Sequence, residues 1–196
     1  MHATLTKQPH LLPAFQGAIT QHHLGTAAHS IRVARMACLT GERLGLEADD
    51  LEALSWAGIL HDLGKLAVSD VILRKDGPLS EPEWAQVKRH PAVGSDLLLL
   101  MSADLTPIAE GVRAHHERWN GSGYPDGLAG EDIPLIGRIL TVADVFDSVT
   151  NPRSYRRHVF SPTEARSLIE SGAGSQFDPA VARAFLELHA LGLFDV

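Results

Sequence analysis

Residues 61–65 read His-Asp-Leu-Gly-Lys, and residues 115–125 read His-His-Glu-Arg-Trp-Asn-Gly-Ser-Gly-Tyr-Pro. The first is a His-Asp pair at the end of an apolar helical run. The second is a His-His pair feeding a glycine-rich loop. With His29, His90 and Asp144 they offer nitrogen and oxygen ligands to more than one metal ion. Imidazole and carboxylate without thiolate suit iron or manganese, with nickel, cobalt and zinc left open. Such a set points to a metal-activated water attacking a phosphate ester. Two ions about 3.5–4 Å apart can share a hydroxide and hold both oxygens of a phosphodiester.

Helical periodicity turns two of the carboxylates inward. Asp62 lies four residues after Gly58 and eight after Leu54, and Asp144 lies four after Leu140 and eight after Ile136. A buried carboxylate without a partner costs several kcal/mol. A divalent cation compensates it; for either Asp alone, a buried ion pair or a helix cap is the plainer alternative. The histidines on several helices favour the metal. Consecutive side chains on a helix diverge by roughly 100°, so His61 and Asp62 cannot chelate one ion together. Instead His61 serves one metal while the two Asp62 oxygens bridge to a second, and His115 and His116 approach a cluster from different angles.

The elements that must position these residues are helical. Apolar residues recur at helix spacing from His22 to about Gly45, and a second helix starts at Asp49-Asp50 and runs into the His-Asp pair. Ser80 and Glu83 form a capping box for a third helix reaching His90. Val93 to Leu100 make another, and Thr106-Pro107 opens the next, which carries His115 and His116. Residues 120–134 are rich in Gly and Pro and form a loop. Helix resumes from Pro134 through Asp144 to about Val149, and two more begin at Ser161-Pro162-Thr163-Glu164 and Asp178-Pro179. No alternating strand pattern is present. The expected fold is all-α, a single bundle of seven or more helices (residues 21–196) behind an N-terminal extension (1–20).

Composition narrows the partners. A chain of 196 residues, 44% hydrophobic, suits one globular domain. A net charge of -7 argues against long nucleic acid, so a phosphate-bearing ligand must be held by a local cluster of metals and basic residues. The lone Cys38 excludes an internal disulfide and a cysteine-rich zinc site. No signal peptide is visible, and no apolar run approaches the roughly 20 residues of a membrane span, which places the expected protein in the cytoplasm. Of the 11 histidines, His2, His10, His158 and His189 have no partner motif and read as surface residues.

Taken together, the motifs resemble the HD-GYP family, a branch of the HD metal-dependent phosphohydrolases, over about residues 22–190. The resemblance rests on His29-Ser30-Ile31-Arg32-Val33-Ala34, on the block 61–65, and on the run from His115 through Gly123-Tyr124-Pro125-Asp126-Gly127-Leu128 to Ile133-Pro134. It also includes Ala143-Asp144-Val145-Phe146-Asp147, Tyr155-Arg156 and the stretch from Gly172 to Pro179. It implies a bacterial signalling phosphodiesterase that hydrolyses cyclic di-GMP to linear pGpG and in some members to GMP. It assigns metal binding to His29, His61, Asp62, His90, His115, His116 and Asp144, with His61, Asp62 and Lys65 as the catalytic centre. Lys65 matches the lysine that contacts the scissile phosphate, and Tyr124 the tyrosine of the GYP loop. Arg153 and Arg156 match ligand-contacting basic positions, where a guanidinium can fork onto phosphate or a guanine edge. Arg118 is expected to organise the GYP loop, a surface through which other signalling domains could dock.

One position departs from the pattern. Some family members hold a third metal with a Glu four residues before the first histidine; here that position is Gly25. His22 and His23 stand too far from His29 to replace it. The expected cofactor is therefore two divalent ions, and the expected product mainly pGpG. The rival readings are an HD phosphohydrolase for another nucleotide, which the Gly123-Tyr124-Pro125 loop disfavours, and a non-catalytic cyclic di-GMP binding or partner-docking module.

Overall fold

The computed structural model describes residues 24–151 and 159–194. Residues 1–20, the two histidines 22 and 23, Arg153, Arg156 and His158 lie outside them. The described chain is helical in this order: α1 (Leu24–Arg43), α2 (Ala48–Leu60), α3 (Asp70–Leu73), α4 (Glu81–Val87), α5 (His90–Met101), α6 (Thr106–Ala114), α7 (Leu135–Thr150), α8 (Pro162–Gly172) and α9 (Pro179–Ala190). Short 3-10 turns at Leu63–Ala67, Ala103–Leu105 and Gly130–Asp132 link them. Among the described residues there is no strand, only two isolated bridges. Nor among them is any helix long and apolar enough to cross a membrane. The expected all-α bundle of seven or more helices is what is found.

Helix starts follow the local sequence. Glu83 accepts from the Ser80 backbone N–H at 2.7 Å, and Ser161 and Glu164 close the reciprocal box at the head of α8. Asp178 caps α9 by accepting from the Ala180 N–H at 2.8 Å. Helix ends differ from expectation. α2 stops at Leu60, α4 stops at Val87 short of His90, and α6 stops at Ala114. His61, Asp62, His115 and His116 therefore sit in the turns that follow helices rather than on them, and His90 opens α5.

The core is one continuous apolar body. α1 packs on α2 and α7, and α6 packs on α5, α2 and α7. Val33, Leu54, Ile108, Leu140 and Phe185 are buried at its centre. Burying such side chains contributes about 1.5–3 kcal/mol each, so the site-bearing helix ends are anchored by the most stable part of the molecule. A satellite cluster of Val68, Ile72 and Val87 seats the turn that follows Asp62 under α4. His189, expected on the surface, is instead half-buried, its ring 5.2 Å from that of Phe146.

Gly64 sets the approach of the Asp62 turn to α5. A Cβ there would run into the His90 carbonyl oxygen and stand 2.6 Å from the Gly94 backbone nitrogen. Backbone cannot move aside as a side chain can. Gly64→Ala is expected to lower stability by about 1–3 kcal/mol through overpacking and to push Asp62 away from His90. Urea denaturation of the variant checks this; unchanged stability would contradict it.

Candidate metal centre

Three histidines are placed by the same device. The last carbonyls of a helix have no partner within it. His61, just past α2, donates its Nδ1–H to the Gly58 carbonyl at 2.8 Å. His90 does the same to Val87, the last residue of α4, at 2.8 Å, and His115 to Val112 at the end of α6 at 2.6 Å. A carbonyl only accepts, so each proton sits on Nδ1 and each Nε2 carries a lone pair. The histidines thus end their helices and aim their ligating nitrogens in one motion. The helix ends fall short of the sequence expectation for this reason.

His29 is held differently. It lies within α1, and its Nδ1 donates to Asp147 Oδ2 at 2.6 Å. Asp147 is in turn gripped by Arg32, with Nε 2.6 Å from Oδ1 and a terminal nitrogen 3.0 Å from Oδ2, and by Asn151 at 3.0 Å. These positioning residues are not part of the expected ligand set. The only sequence signal is a matched spacing: His29 and Arg32 are three apart on α1, Asp144 and Asp147 three apart on α7, so each pair shares a face.

The ligating atoms gather in two groups. His29, His61 and Asp144 offer atoms all within 4.8 Å of one another, and so do His90, His115 and His116. Asp62, 5% exposed, stands between them. Its Oδ2 is 3.5 Å from His61 Nε2 and its Oδ1 is 3.4 Å from His90 Nε2. The seven residues expected to bind metal are thus brought together. Asp62 reaches one histidine of each group, in keeping with the expectation that His61 serves one metal while the Asp62 oxygens reach toward a second.

The electrostatics call for cations. His90 and His115 face each other Nε2 to Nε2 at 3.2 Å, with both Nδ1 protons already committed to carbonyls. Two lone pairs at that distance repel unless a positive charge lies between them. Burial pushes the His90 imidazole down to about 4 and His116 to about 3, and lowers His61 and His115 as well. Burial would raise Asp62 and Asp144, but Lys65 and the imidazoles hold Asp62 well below the usual carboxylate range, and His29 and His61 do the same for Asp144. Neutral imidazoles and ionised carboxylates are the protonation states that ligate. The donor set is compatible with divalent metals.

Lys65 and Tyr124 line the centre. Lys65 sits in the 3-10 turn, not on a continued α2, and its Nζ donates to Asp62 Oδ2 at 2.6 Å. The Tyr124 ring lies 4.9 Å from that of His116, and burial pushes its phenol up. The loop is fixed by Glu117, where the sequence pointed to Arg118. Buried Glu117 accepts from the Asp126 and Gly127 N–H groups at 2.7 and 3.0 Å. Arg113 forks onto Asp126 at 2.6 and 2.8 Å. Gly123 allows the loop to close: a Cβ there would meet the Arg118 nitrogen and stand 2.7 Å from the Glu117 carbonyl carbon. The Tyr124-Pro125 peptide is cis. The loop's first residues are zipped to the segment before α9, Trp119 N–H to the Gln176 carbonyl at 3.1 Å and Asn120 N–H to Ser175 at 2.9 Å.

Comparison with known proteins agrees with this geometry. The HD domain family model matches residues 14–181. This chain belongs to the HD domain family. It is 39% identical over 170 residues, 86% of its own length and 45% of the relative's, to the cyclic di-GMP phosphodiesterase response regulator RpfG of Xanthomonas campestris pv. campestris. It is 37% identical over 163 residues to a 3'3'-cGAMP-specific phosphodiesterase of Vibrio cholerae, covering 83% of this chain and 31% of that one. A solved V. cholerae cyclic GMP-AMP phosphodiesterase shares the fold, with a TM-score of 0.65 at 23% identity, covering 85% of this chain and 44% of that one. The chain thus spans less than half the length of these relatives.

The shifted histidines give the metal-free protein a bell-shaped stability. Depressed imidazoles are protonated in the unfolded chain below about 6.5 but not in the folded one until about 4 for His90. The unfolded state therefore binds more protons in that window, and stability falls as pH drops from 6.5 to 4. His29 has the opposite sign. Burial lowers it, but hydrogen bonds to Asp144 and Asp147 prevail and raise it to about 9, so its contribution is lost as pH rises from 6.5 through 9. Chemical denaturation of chelator-treated protein at pH 4.5, 6.5 and 9 should show the maximum at 6.5. A flat profile would contradict it.

Proposed function

We propose that this chain is a metal-dependent phosphodiesterase of cyclic dinucleotides, with cyclic di-GMP as substrate and pGpG as main product. The observation that carries this is Asp62 set between two three-residue ligand groups, with Lys65 on the same carboxylate. His29, His61 and Asp144 would hold one ion, His90, His115 and His116 the other, and Asp62 both; iron or manganese suits the donors best. Bound there, a divalent pair supplies an activated water and neutralises phosphate charge.

The remaining work falls to the chain's own side chains. Lys65 is partly exposed while its amine rests on Asp62, so it can turn to a phosphate oxygen and counter charge as it accumulates. Tyr124 keeps its phenolic proton, so it acts as a donor or an aromatic wall, not as a base. Arg153 and Arg156 follow α7 closely in sequence and would fork onto the second phosphate or a guanine edge. The GYP loop, held by Glu117 and Arg113, would serve for docking other signalling domains, in the cytoplasm where the messenger is found. Gly25, one turn before His29, brings no ligand atom for a third ion. A two-metal site has less positive charge to hold the terminal phosphate of pGpG for a second cut. The likeness to a 3'3'-cGAMP phosphodiesterase favours that dinucleotide as the second reading.

Purified protein with manganese or ferrous iron should convert cyclic di-GMP to pGpG, with GMP late or absent, and chelation should stop it. Asp62→Ala should abolish turnover while circular dichroism still shows a helical fold. Chromatography of a time course decides the product. Turnover of 3'3'-cGAMP alone would establish the second reading, and turnover of neither would contradict both.

Arg153→Ala and Arg156→Ala should each weaken cyclic di-GMP binding about ten-fold or more, the loss of a charge-assisted contact of roughly 1.5–3 kcal/mol, with metal content unchanged. Calorimetric titration tests it; unchanged affinity in both would move the ligand pocket elsewhere.

A further inference from the structure

The two ligand groups are not equivalent. His90 and His115 are backed only by backbone carbonyls, and with His116 they form a group of three neutral imidazoles. The other group contains a carboxylate, Asp144, and its His29 is backed by a second carboxylate, Asp147. Asp147 is 1% exposed and cannot turn away: Arg32 takes both of its oxygens and Asn151 one. Arg32 balances the charge of Asp147, so what Asp147 adds is direction and strength in the His29 hydrogen bond. A carboxylate behind an imidazole fixes its orientation and raises its basicity as a ligand more than a carbonyl does.

Resting on the metal reading above, we propose that Asp147, clamped by Arg32, is a positioning residue that makes the His29–His61–Asp144 pocket the tighter of two unequal metal sites, which fills first. The four side chains responsible stand on facing helices, His29 and Arg32 on α1, Asp144 and Asp147 on α7. Both pairs are rigidly packed, α1 against α7, so the difference is built into the scaffold. Lost backing of this kind weakens a metal site by about ten- to hundred-fold.

The test is calorimetric titration of metal-free protein with manganese chloride, with circular dichroism as the check on folding. The unaltered chain should show two classes of site. Asp147→Asn keeps the shape but removes the charge, and should weaken the tight class by about ten- to hundred-fold while leaving the weak class where it was. Arg32→Gln leaves the carboxylate but loosens its clamp, and should move the same class in the same direction by a smaller factor. It carries the test if Asp147→Asn does not fold. A single class in the unaltered chain, a tight class unmoved in the folded variants, or equal weakening of both classes would overturn the inference and leave the metal reading intact. No manganese bound by the unaltered chain would overturn the metal reading itself.

Discussion

A carboxylate buried in the middle of this bundle has to be paid for, and Asp62 sits there with one oxygen toward each of two imidazole groups. An ionised carboxylate in such surroundings is stable only beside positive charge. Lys65 supplies part of it at 2.6 Å. His29, whose hydrogen bonds to Asp144 and Asp147 outweigh its burial and raise it to about 9, adds to it, while the lone pairs of His90 and His115, facing each other at 3.2 Å, intensify the demand for a cation. The Gly64 approach, the satellite core under α4 and the seating of the turn on α5 all serve to keep this carboxylate between the two groups.

The same economy governs the histidines. A helix must satisfy its last carbonyls, and a metal ligand must have its tautomer fixed. Placing a histidine within three residues of a helix end answers both needs with one hydrogen bond, and the chain uses it after α2, α4 and α6. The helices are long enough to be anchored in the core, and their ends converge, so precision at the centre comes from ordinary packing. His29 had no helix end to use, and Asp147 with Arg32 stands in for it.

Much of this was legible in the sequence. The capping box at Ser80 and the starts at Ser161-Pro162-Thr163-Glu164 and Asp178-Pro179 marked helix heads, and the Gly and Pro content of 120–134 marked the loop. The ligand types and their dispersal over several helices pointed to a polynuclear centre, and the structure gathers all seven. What periodicity could not show was where helices stop. The apolar pattern continues past Leu60 through Leu63 and Leu66, and the histidine ring-to-carbonyl hydrogen bonds form where α2 and α6 end. Nor could spacing reveal Glu117, and for Asp147 it offered only a face shared with Asp144, not the partner. Each acts through a partner remote in sequence, the Asp126–Gly127 backbone for one and α1 for the other. Arg118 was expected to organise the loop, and its acidic neighbour Glu117 holds it.

The central claim is that Asp62 joins two metal sites. The most direct measurement is anomalous scattering from crystals grown with manganese. The account predicts two peaks, one against His29, His61 and Asp144, the other against His90, His115 and His116, with Asp62 touching both. A single peak, or two that leave Asp62 bound to neither or only one, would contradict it.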